Sequence, residues 1–185
     1  MKELFEAIRA GDSSQVAALV AADPSLAIFA ASIQGDTAQI EQLLAGNRSL
    51  VSALSSDGWT PLHLAAFFGK TGAARLLLNK GAEVGARSTN PMQNMPLHAA
   101  AAGKHAEIVK LLLDHGAPAN ARQHGGWTPL HAAAQNGDLD SAKALVSSGA
   151  DVEARADNNQ RALDLALTKG EQAMVDFLEA NGAKL

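Results

Sequence analysis

The sequence predicts an all-α fold, a solenoid of stacked helix-turn-helix pairs joined by β-turn or hairpin fingers. A four-residue motif recurs at a nearly constant interval, and a glycine recurs in the same phase. The composition is 47% hydrophobic but only 4% aromatic, as expected where small aliphatic side chains pack closely spaced helices. Repetition with a period of roughly 20 to 50 residues is the sequence signature of repeat architectures.

The recurring motif fixes the register of the repeat. "TPLH" occurs at 60–63 and 128–131, "MPLH" at 95–98 and "RALD" at 161–164. The fourth residues of these copies follow one another at intervals of 35, 33 and 33 residues. A glycine lies 18 residues after each of them, at Gly81, Gly116, Gly149 and Gly182. Two series in one phase indicate four copies of one structural unit.

Each copy predicts two helices. Thr is a favoured N-cap and Pro a favoured first residue, so "TPLHLAA" begins a short apolar helix. A turn leads to a second helix such as "HAEIVKLLLDHG" (105–116), which has apolar residues at helical spacing and a glycine at its end. Extended segments such as "GAEVGAR" lead to the next copy. Because neither helix can bury its apolar face alone, the copies must stack.

The residues "DGWTPLHLAA…LLLNKGAEVGAR" resemble the ankyrin repeat, and the resemblance extends over nearly the whole chain. Two weaker copies, 4–27 and 28–53, precede the clear ones. Only 24 residues separate Gly11 from Gly35, so the first copy is expected to lack a finger. We predict one ankyrin repeat domain, 1–185, with about six repeats. Their approximate bounds are 1–26, 27–56, 57–88, 89–122, 123–156 and 157–185.

Composition limits the setting and the partners. The chain has no cysteine, so it offers no disulfide framework and no thiolate metal site. Its N-terminal "MKELFEAIRAGDSS" does not read as a signal peptide, and no apolar run approaches the ~18 residues of a membrane span. The net charge is −4, and the charged residues are scattered along the chain without the basic stripe that nucleic acid requires. We therefore expect a cytoplasmic protein with no nucleic-acid or membrane partner.

Polar faces on the end copies indicate caps, as terminal repeats require for solubility. We therefore expect a complete, monomeric solenoid. The residues that supply these faces are Lys2, Glu3, Glu6, Arg9, Glu171, Gln172, Asp176 and Glu179.

The motif histidines, His63, His98 and His131, raise the possibility of a metal or catalytic site. Equivalent residues of stacked helices lie on the order of 10 Å apart, whereas zinc requires ligand atoms at about 2 Å. The resemblance implies instead that each histidine hydrogen-bonds the Thr before it. His105, His115 and His124 match no ligand spacing and are expected on the surface. "FFGKT" lacks the first glycine of a phosphate-binding loop, so we predict no catalytic, metal or cofactor site.

A binding surface for another protein remains as the predicted function. The ankyrin resemblance places exposed, variable positions just after each marker residue and at the finger tips. Both tryptophans and two of the five phenylalanines fall there, and such aromatic groups are enriched in binding hot spots. The alternative is that each tryptophan folds over the neighbouring finger, with Phe67 or Phe68 beneath it. The candidate residues are Asp57, Trp59, Phe67, Phe68, Met92, Gln93, Asn94, Met95, His124, Trp127, Gln135, Asn136, Asn158 and Gln160.

The copy "TNPMQNMPLHAAAAGK" (89–104) departs from the pattern. Twelve steps separate Ala86 from His98, against ten between Ala121 and His131, so its finger is two residues longer. Met95 replaces the capping Thr, and Lys104 takes the place that glycine holds elsewhere. In the last copy, Arg161 is expected to pair with Asp164 as a charged substitute. The long finger is either a decayed repeat or an adaptable contact formed by residues 92–95, since methionine suits irregular surfaces.

The predicted function is a non-catalytic protein–protein interaction module that binds its partner through the concave face, formed by finger tips and first-helix ends. One alternative is an enzyme or small-molecule binder that uses the concave groove. Another is an inert structural or inhibitory scaffold.

Overall fold

The computed structural model describes residues 1–184, which contain twelve α-helices and no β-strand. The helices are α1 (Lys2–Ala10), α2 (Ser13–Ala22), α3 (Ala27–Gln34), α4 (Thr37–Gly46), α5 (Pro61–Phe67), α6 (Thr71–Asn79), α7 (Pro96–Ala102), α8 (Ala106–Asp114), α9 (Pro129–Gln135), α10 (Leu139–Ser147), α11 (Ala162–Lys169) and α12 (Gln172–Ala180). Short 3-10 turns occur at Pro24–Leu26, Arg48–Ser52 and His124–Gly126. None of the described helices is long and apolar enough to cross a membrane.

The helices form two layers. Each odd-numbered helix packs against the helix that follows it, so the chain runs as consecutive pairs. The odd-numbered helices also stack on one another from α1 to α11, and the even-numbered ones stack from α4 to α12. This arrangement is the helical solenoid that the repeated motif predicts.

Polar caps determine where many of the helices begin. The Thr60 hydroxyl accepts a hydrogen bond from the backbone N–H of His63 (3.3 Å), and Pro61 occupies the first helical position. The second helices of several pairs begin at an aspartate instead. Asp12 and Asp36 each accept the backbone N–H three residues later at 2.9 Å, and Asp138 does so at 3.2 Å. Such caps satisfy amides that have no partner inside the helix.

Alanine allows the odd-numbered layer to pack closely. The paired alanines at the centres of α5, α7 and α9 have no exposed surface. They are Ala65, Ala66, Ala100, Ala101, Ala133 and Ala134. Leu62, Leu97 and Leu130 fill the same layer and are at most 1% exposed. A core of methyl groups and leucines explains how the chain folds with few aromatic residues.

Fingers connect the later pairs and bond to one another. The first finger closes with a hydrogen bond from Ser55 N–H to the Trp59 carbonyl (2.9 Å). Neighbouring fingers are joined by backbone hydrogen bonds from Thr89 to Gly58 (3.0 Å), from His124 to Met92 (2.8 Å) and from Asp157 to Gly125 (2.9 Å). By contrast, α2 and α3 are linked by residues 23–26 alone, which contain a single 3-10 turn and no finger.

Candidate protein-interaction surface

The motif histidines are buried connectors between each helix and the next finger. The Nδ1 atom of His63 lies 2.8 Å from the Thr60 hydroxyl oxygen, and its Nε2–H donates to the Asn94 carbonyl (3.1 Å). His131 repeats this arrangement with Thr128 (2.8 Å) and with the Gln160 carbonyl (3.0 Å). Both ring nitrogens of each histidine are therefore engaged in the fold.

Burial keeps these rings neutral. Desolvation lowers the pKa of His63 and of His98 to about 4, and it also lowers the pKa of His131. Within residues 1–184, no group of three or more His, Asp or Glu side chains could hold a metal ion. The hydrogen bonds made by both ring nitrogens of His63 and His131 give the histidine series a structural role.

Aromatic side chains gather beside the first finger. The Trp59 indole lies 5.9 Å from the His63 ring and meets Phe67 edge-on at 5.5 Å. Phe67 meets Phe68 edge-on at 5.3 Å, and Phe68 stacks on Phe5 at 5.8 Å. We call Phe5, Trp59, Phe67 and Phe68 the aromatic cluster. Together with Ser55 and Asp57 they line a groove of about 290 Å³.

Phe5 of α1 belongs to this cluster although the repeat pattern did not indicate it. Helix α1 buries Leu4 and Ala7 against its neighbours, while Phe5 and Ile8 are only half-buried. The sequence signal was present, because Leu4, Phe5, Ala7 and Ile8 make an apolar face wider than a single stripe. The repeat pattern does not indicate Phe5, because the first copy lacks the motif that defines the variable positions.

A second groove forms around the other tryptophan. Trp127 lies over its own His131, with 5.6 Å between ring centroids. With Met92, His124, Gln135 and Asn136, it lines a groove of about 520 Å³. Asn136 also has a structural role, because its side-chain amide donates to the carbonyl of Ala102 at the end of α7 (3.2 Å).

The two tryptophans are less available than the sequence suggested. Each indole is half-buried and covers the histidine of its own repeat, and Phe67 packs against Trp59. Phe67 and Phe68 remain 37% and 36% exposed. The exposed apolar surface of the cluster is therefore supplied mainly by the two phenylalanines, and replacing the tryptophans would also disturb the fold.

The long finger is held by its own hydrogen bonds. Its closing bond runs from Ser88 N–H to the Asn94 carbonyl (2.8 Å), six residues apart, whereas the Ser55–Trp59 bond spans four. The Asn90 side chain accepts from the Ser88 hydroxyl and from Met92 N–H, both at 3.0 Å. The finger is two residues longer, as predicted, and it is internally ordered.

Neighbouring fingers also support the long finger. The Asn90 side-chain amide donates to the Asp57 carbonyl of the preceding finger (3.0 Å). The Arg87 guanidinium donates to the carbonyls of Gln93 and Arg122, both at 3.0 Å. These bonds connect three successive fingers.

Only half of the expected contact at residues 92–95 lies on the surface. Met92 is 47% exposed and Gln93 is exposed, but Asn94 and Met95 are buried. Asn94 occupies the position that the half-buried Trp59 and Trp127 hold in other fingers. Asn94 and Met95 therefore cannot present their side chains to a partner.

The start of α7 lacks a side-chain cap, as the Met95 substitution predicts. Met95 N–H still donates to Nδ1 of His98 (3.2 Å), and the Nε2–H of His98 donates to the Ala121 carbonyl (3.0 Å). The histidine thus keeps a backbone partner on each side and loses only the hydroxyl contact.

His105 packs against the preceding repeat, as Lys70 and Glu171 do at the same position of their own repeats. Its Nε2–H donates to the Phe67 carbonyl at the end of α5 (3.0 Å), and the ring lies against Gly69 and Gly103. His105 is half-buried and remains at the surface, where it also bonds the preceding helix. His115 and His124 are exposed, as expected.

In the last finger, Asn158 and Gln160 bond to each other rather than lining either groove. Asn158 accepts from Gln160 N–H (3.1 Å) and donates to its side-chain oxygen (2.6 Å). The predicted pairing of Arg161 with Asp164 is present, with the guanidinium 2.8 Å from the carboxylate.

Sequence comparison agrees with this architecture. A family model described as "Ankyrin repeats (3 copies)" matches residues 4–88 and 97–185. The chain is 38% identical over 97 residues to Neurogenic locus Notch protein of Drosophila melanogaster, covering 51% of this chain and 4% of that protein. It is 35% identical over 96 residues to human Transient receptor potential cation channel subfamily A member 1, covering 51% and 8%.

A third relative matches over a longer segment. The chain is 33% identical over 135 residues to Probable E3 ubiquitin-protein ligase XBOS31 of Oryza sativa subsp. japonica, covering 68% of this chain and 30% of that protein. The chain thus spans less than a third of the length of these three relatives. The likeness concerns the repeats, which the family model matches at both ends of the chain. This chain belongs to the ankyrin repeat family.

Proposed function

We propose that this chain is a non-catalytic module that binds a partner protein through the concave face, at the finger tips and the ends of the first helices. Ankyrin repeats are generally protein–protein interaction modules. The aromatic cluster is the main support for this proposal. Phe67 and Phe68 are each more than a third exposed. Phe67 contacts Trp59, and Phe68 contacts Phe5. Clustered exposed apolar groups usually mark an interaction site.

The second groove extends the proposed surface. Met92 projects beside Trp127, with Gln135 and His124 at the rim. A flexible thioether next to a rigid indole supplies apolar area that can adapt to a partner. Hydrogen bonds from the long finger to both neighbouring fingers favour a built feature over a decayed repeat.

A binding role without cofactor fits the chemistry of the surface. The motif histidines use both ring nitrogens in the fold and have pKa values held low by burial. We propose that the protein acts as a monomer in the cytoplasm, and a sequence without cysteine is compatible with that reducing compartment.

Affinity capture from a lysate with quantitative mass spectrometry tests the proposal. Phe68→Ser is the variant to use, because the tryptophans also cover buried histidines. Leu167→Ser is the matched control, since Leu167 is an exposed hydrophobic residue (47%) on α11. We expect the wild type and the Leu167 variant to retain the same proteins and the Phe68 variant to lose them, with similar melting temperatures for all three. Retention of every captured protein by the Phe68 variant would contradict the proposal.

A further inference from the structure

A larger groove adjoins the aromatic cluster on the side of α1. It has a volume of about 550 Å³, and we call it the N-terminal groove. Its apolar lining comes from Phe5, Ile8, Ile33 and Phe68. Phe5 and Phe68 also line the groove at Trp59, so the two grooves are continuous.

One face of α1 supplies much of the wall. Lys2, Phe5, Glu6 and Arg9 line the N-terminal groove and are spaced three, four and seven residues from Lys2, which places them on one side of a helix. Lys2, Glu6 and Arg9 are exposed, as expected for a polar end copy. The polar face of α1 therefore also borders the apolar lining of the N-terminal groove.

The N-terminal groove is lined by three cations, Lys2, Arg9 and Lys70, and by two carboxylates, Glu6 and Asp57. Lys2 lies 3.9 Å from Glu6. Within residues 1–184, no carboxylate lies within 4.0 Å of the charged groups of Arg9 or Lys70. The aliphatic stem of Lys70 packs over Gly35, where an added Cβ would lie 3.1 Å from the lysine Cδ. A packed stem limits the conformations of the side chain and holds its ammonium near the groove.

We propose that the N-terminal groove and the aromatic cluster receive an acidic segment of the partner protein, in which an apolar side chain is flanked by carboxylates. This inference rests on the proposed function and specifies the chemistry of the partner. The apolar side chain packs on Phe5 and Phe68, and the carboxylates face Arg9 and Lys70. Opposite charges across an interface select the partner and its orientation.

The positions of the cations give the segment a direction. Arg9 and Lys70 line only the N-terminal groove, whereas Asp57 lines both grooves. Carboxylates of the partner are therefore expected over the N-terminal groove, and uncharged residues near Trp59 and Asp57. A polynucleotide is a poorer fit, because two unpaired cations on a chain of net charge −4 do not make a basic stripe.

Selection from phage-displayed random peptides tests this preference without a known partner. The library is selected on the wild-type protein and depleted on Phe68→Ser. We expect the enriched peptides to contain a Phe, Trp, Leu or Met with at least two Asp or Glu beside it. Enrichment of basic peptides, or of neutral ones, overturns the acidic preference, as does the absence of any enrichment.

Titration of the enriched peptide then assigns the residues. In fluorescence anisotropy, Arg9→Gln with Lys70→Gln is expected to raise the Kd about tenfold, and binding should weaken as salt increases. Lys110→Gln with Lys143→Gln, which changes two exposed lysines on α8 and α10, is the matched control and should leave the Kd within about twofold. An equal effect of both double variants overturns the inference.

Two further experiments test whether the N-terminal groove binds something other than an acidic peptide. Oligouridylate that competes more strongly than the peptide would assign the groove to nucleic acid. Sedimentation that shows self-association of the wild type, lost in Phe68→Ser, would assign it to a second copy of the chain.

If neutral peptides bind and require Phe68, the acidic preference fails while the proposed function stands. If capture from lysate does not depend on Phe68, the proposed function itself fails.

Discussion

Lys104 holds a backbone conformation that glycine holds in the neighbouring repeats. Its φ angle is 61°, close to the 69° of Gly69 and the 64° of Gly137. A residue with a Cβ in this left-handed region costs roughly 1 kcal/mol or more. The lysine is at this position because the glycine of its turn lies one residue earlier, where His105 packs against it.

We therefore predict that Lys104→Gly raises the free energy of unfolding by about 1 kcal/mol, measured by urea denaturation. Gly103→Ala is the control on the neighbouring position. It should lower stability, because the new Cβ would lie 2.5 Å from the Phe67 carbonyl oxygen. A loss of stability in Lys104→Gly would show that the lysine conformation is not strained.

Met95 and Thr60 form a reciprocal test of the missing cap. Thr60→Met should lower the free energy of unfolding by about 1 kcal/mol, because it removes the hydroxyl that accepts from His63 N–H and contacts the His63 ring. Met95→Thr should raise stability by up to about 1 kcal/mol, since the hydroxyl can reach His98. Changes of the same sign in both variants would contradict this explanation.

Residue contacts set by the motif could be predicted, and contacts set by the irregular finger could not. The ankyrin resemblance implies the Thr60–His63 contact, and the three-residue spacing of Arg161 and Asp164 predicts their pair. The burial of Asn94 and Met95 is not predicted in this way. A two-residue insertion shows that the loop is longer, but the direction in which it folds depends on the Asn90 and Arg87 hydrogen bonds to other fingers.

At the scale of helices, α11 begins with a charged replacement for the Thr–His motif. Asp164 accepts from the backbone N–H of Arg161 (2.9 Å) and from its guanidinium at 3.1 and 2.8 Å. Hydrogen bonds from Arg161 hold the pKa of Asp164 below its usual value. The pair therefore caps the helix and links it to the turn before it.

A double-mutant cycle tests whether the Arg–Asp pair and the Thr–His pair are equivalent at the start of a helix. Arg161→Thr and Asp164→His should each lower the free energy of unfolding, because each leaves half of the pair. The double variant restores the Thr–His combination. Its loss of free energy of unfolding should be about 1 kcal/mol smaller than the sum of the two single losses. Additive losses would indicate that the pair does not act as a unit at the helix start.

The helices of the later repeats can be predicted because two signals coincide. A Thr–Pro start occurs at Thr60 and Thr128, and in all four clear copies a glycine 18 residues after the marker marks the end of the second helix. The aromatic cluster was only partly predictable. Trp59, Phe67 and Phe68 occupy variable positions of the repeat, whereas Phe5 reaches the cluster only because α1 packs beside α3.

At the scale of the whole molecule, the buried histidines make stability depend on pH. An unfolded histidine has a pKa of about 6.5, and in the folded protein burial lowers the pKa of His63 and of His98 to about 4. Between these values the unfolded chain binds more protons than the folded one. Stability therefore rises with pH through this window and is lost as pH falls from about 6.5 toward 4.

We predict a loss on the order of 3 kcal/mol for each of these two histidines when pH falls through the full window. Urea denaturation at several pH values between 7 and about 4.5 measures it. His63→Gln should reduce the slope of the free energy of unfolding against pH by the equivalent of about one proton, because it removes one titrating ring. Stability that stays constant from pH 7 to about 5 would show that the rings are not held neutral by burial.

The stacked helices of the solenoid present the aromatic cluster, which we propose binds a protein. The most direct measurement is the Kd of a captured partner for the wild type, for Phe68→Ser and for Leu167→Ser, with the three melting temperatures alongside. Loss of a hot-spot aromatic should weaken binding by about tenfold or more in the Phe68 variant, and the Leu167 variant should bind like the wild type. An unchanged Kd for a folded Phe68 variant would contradict the claim.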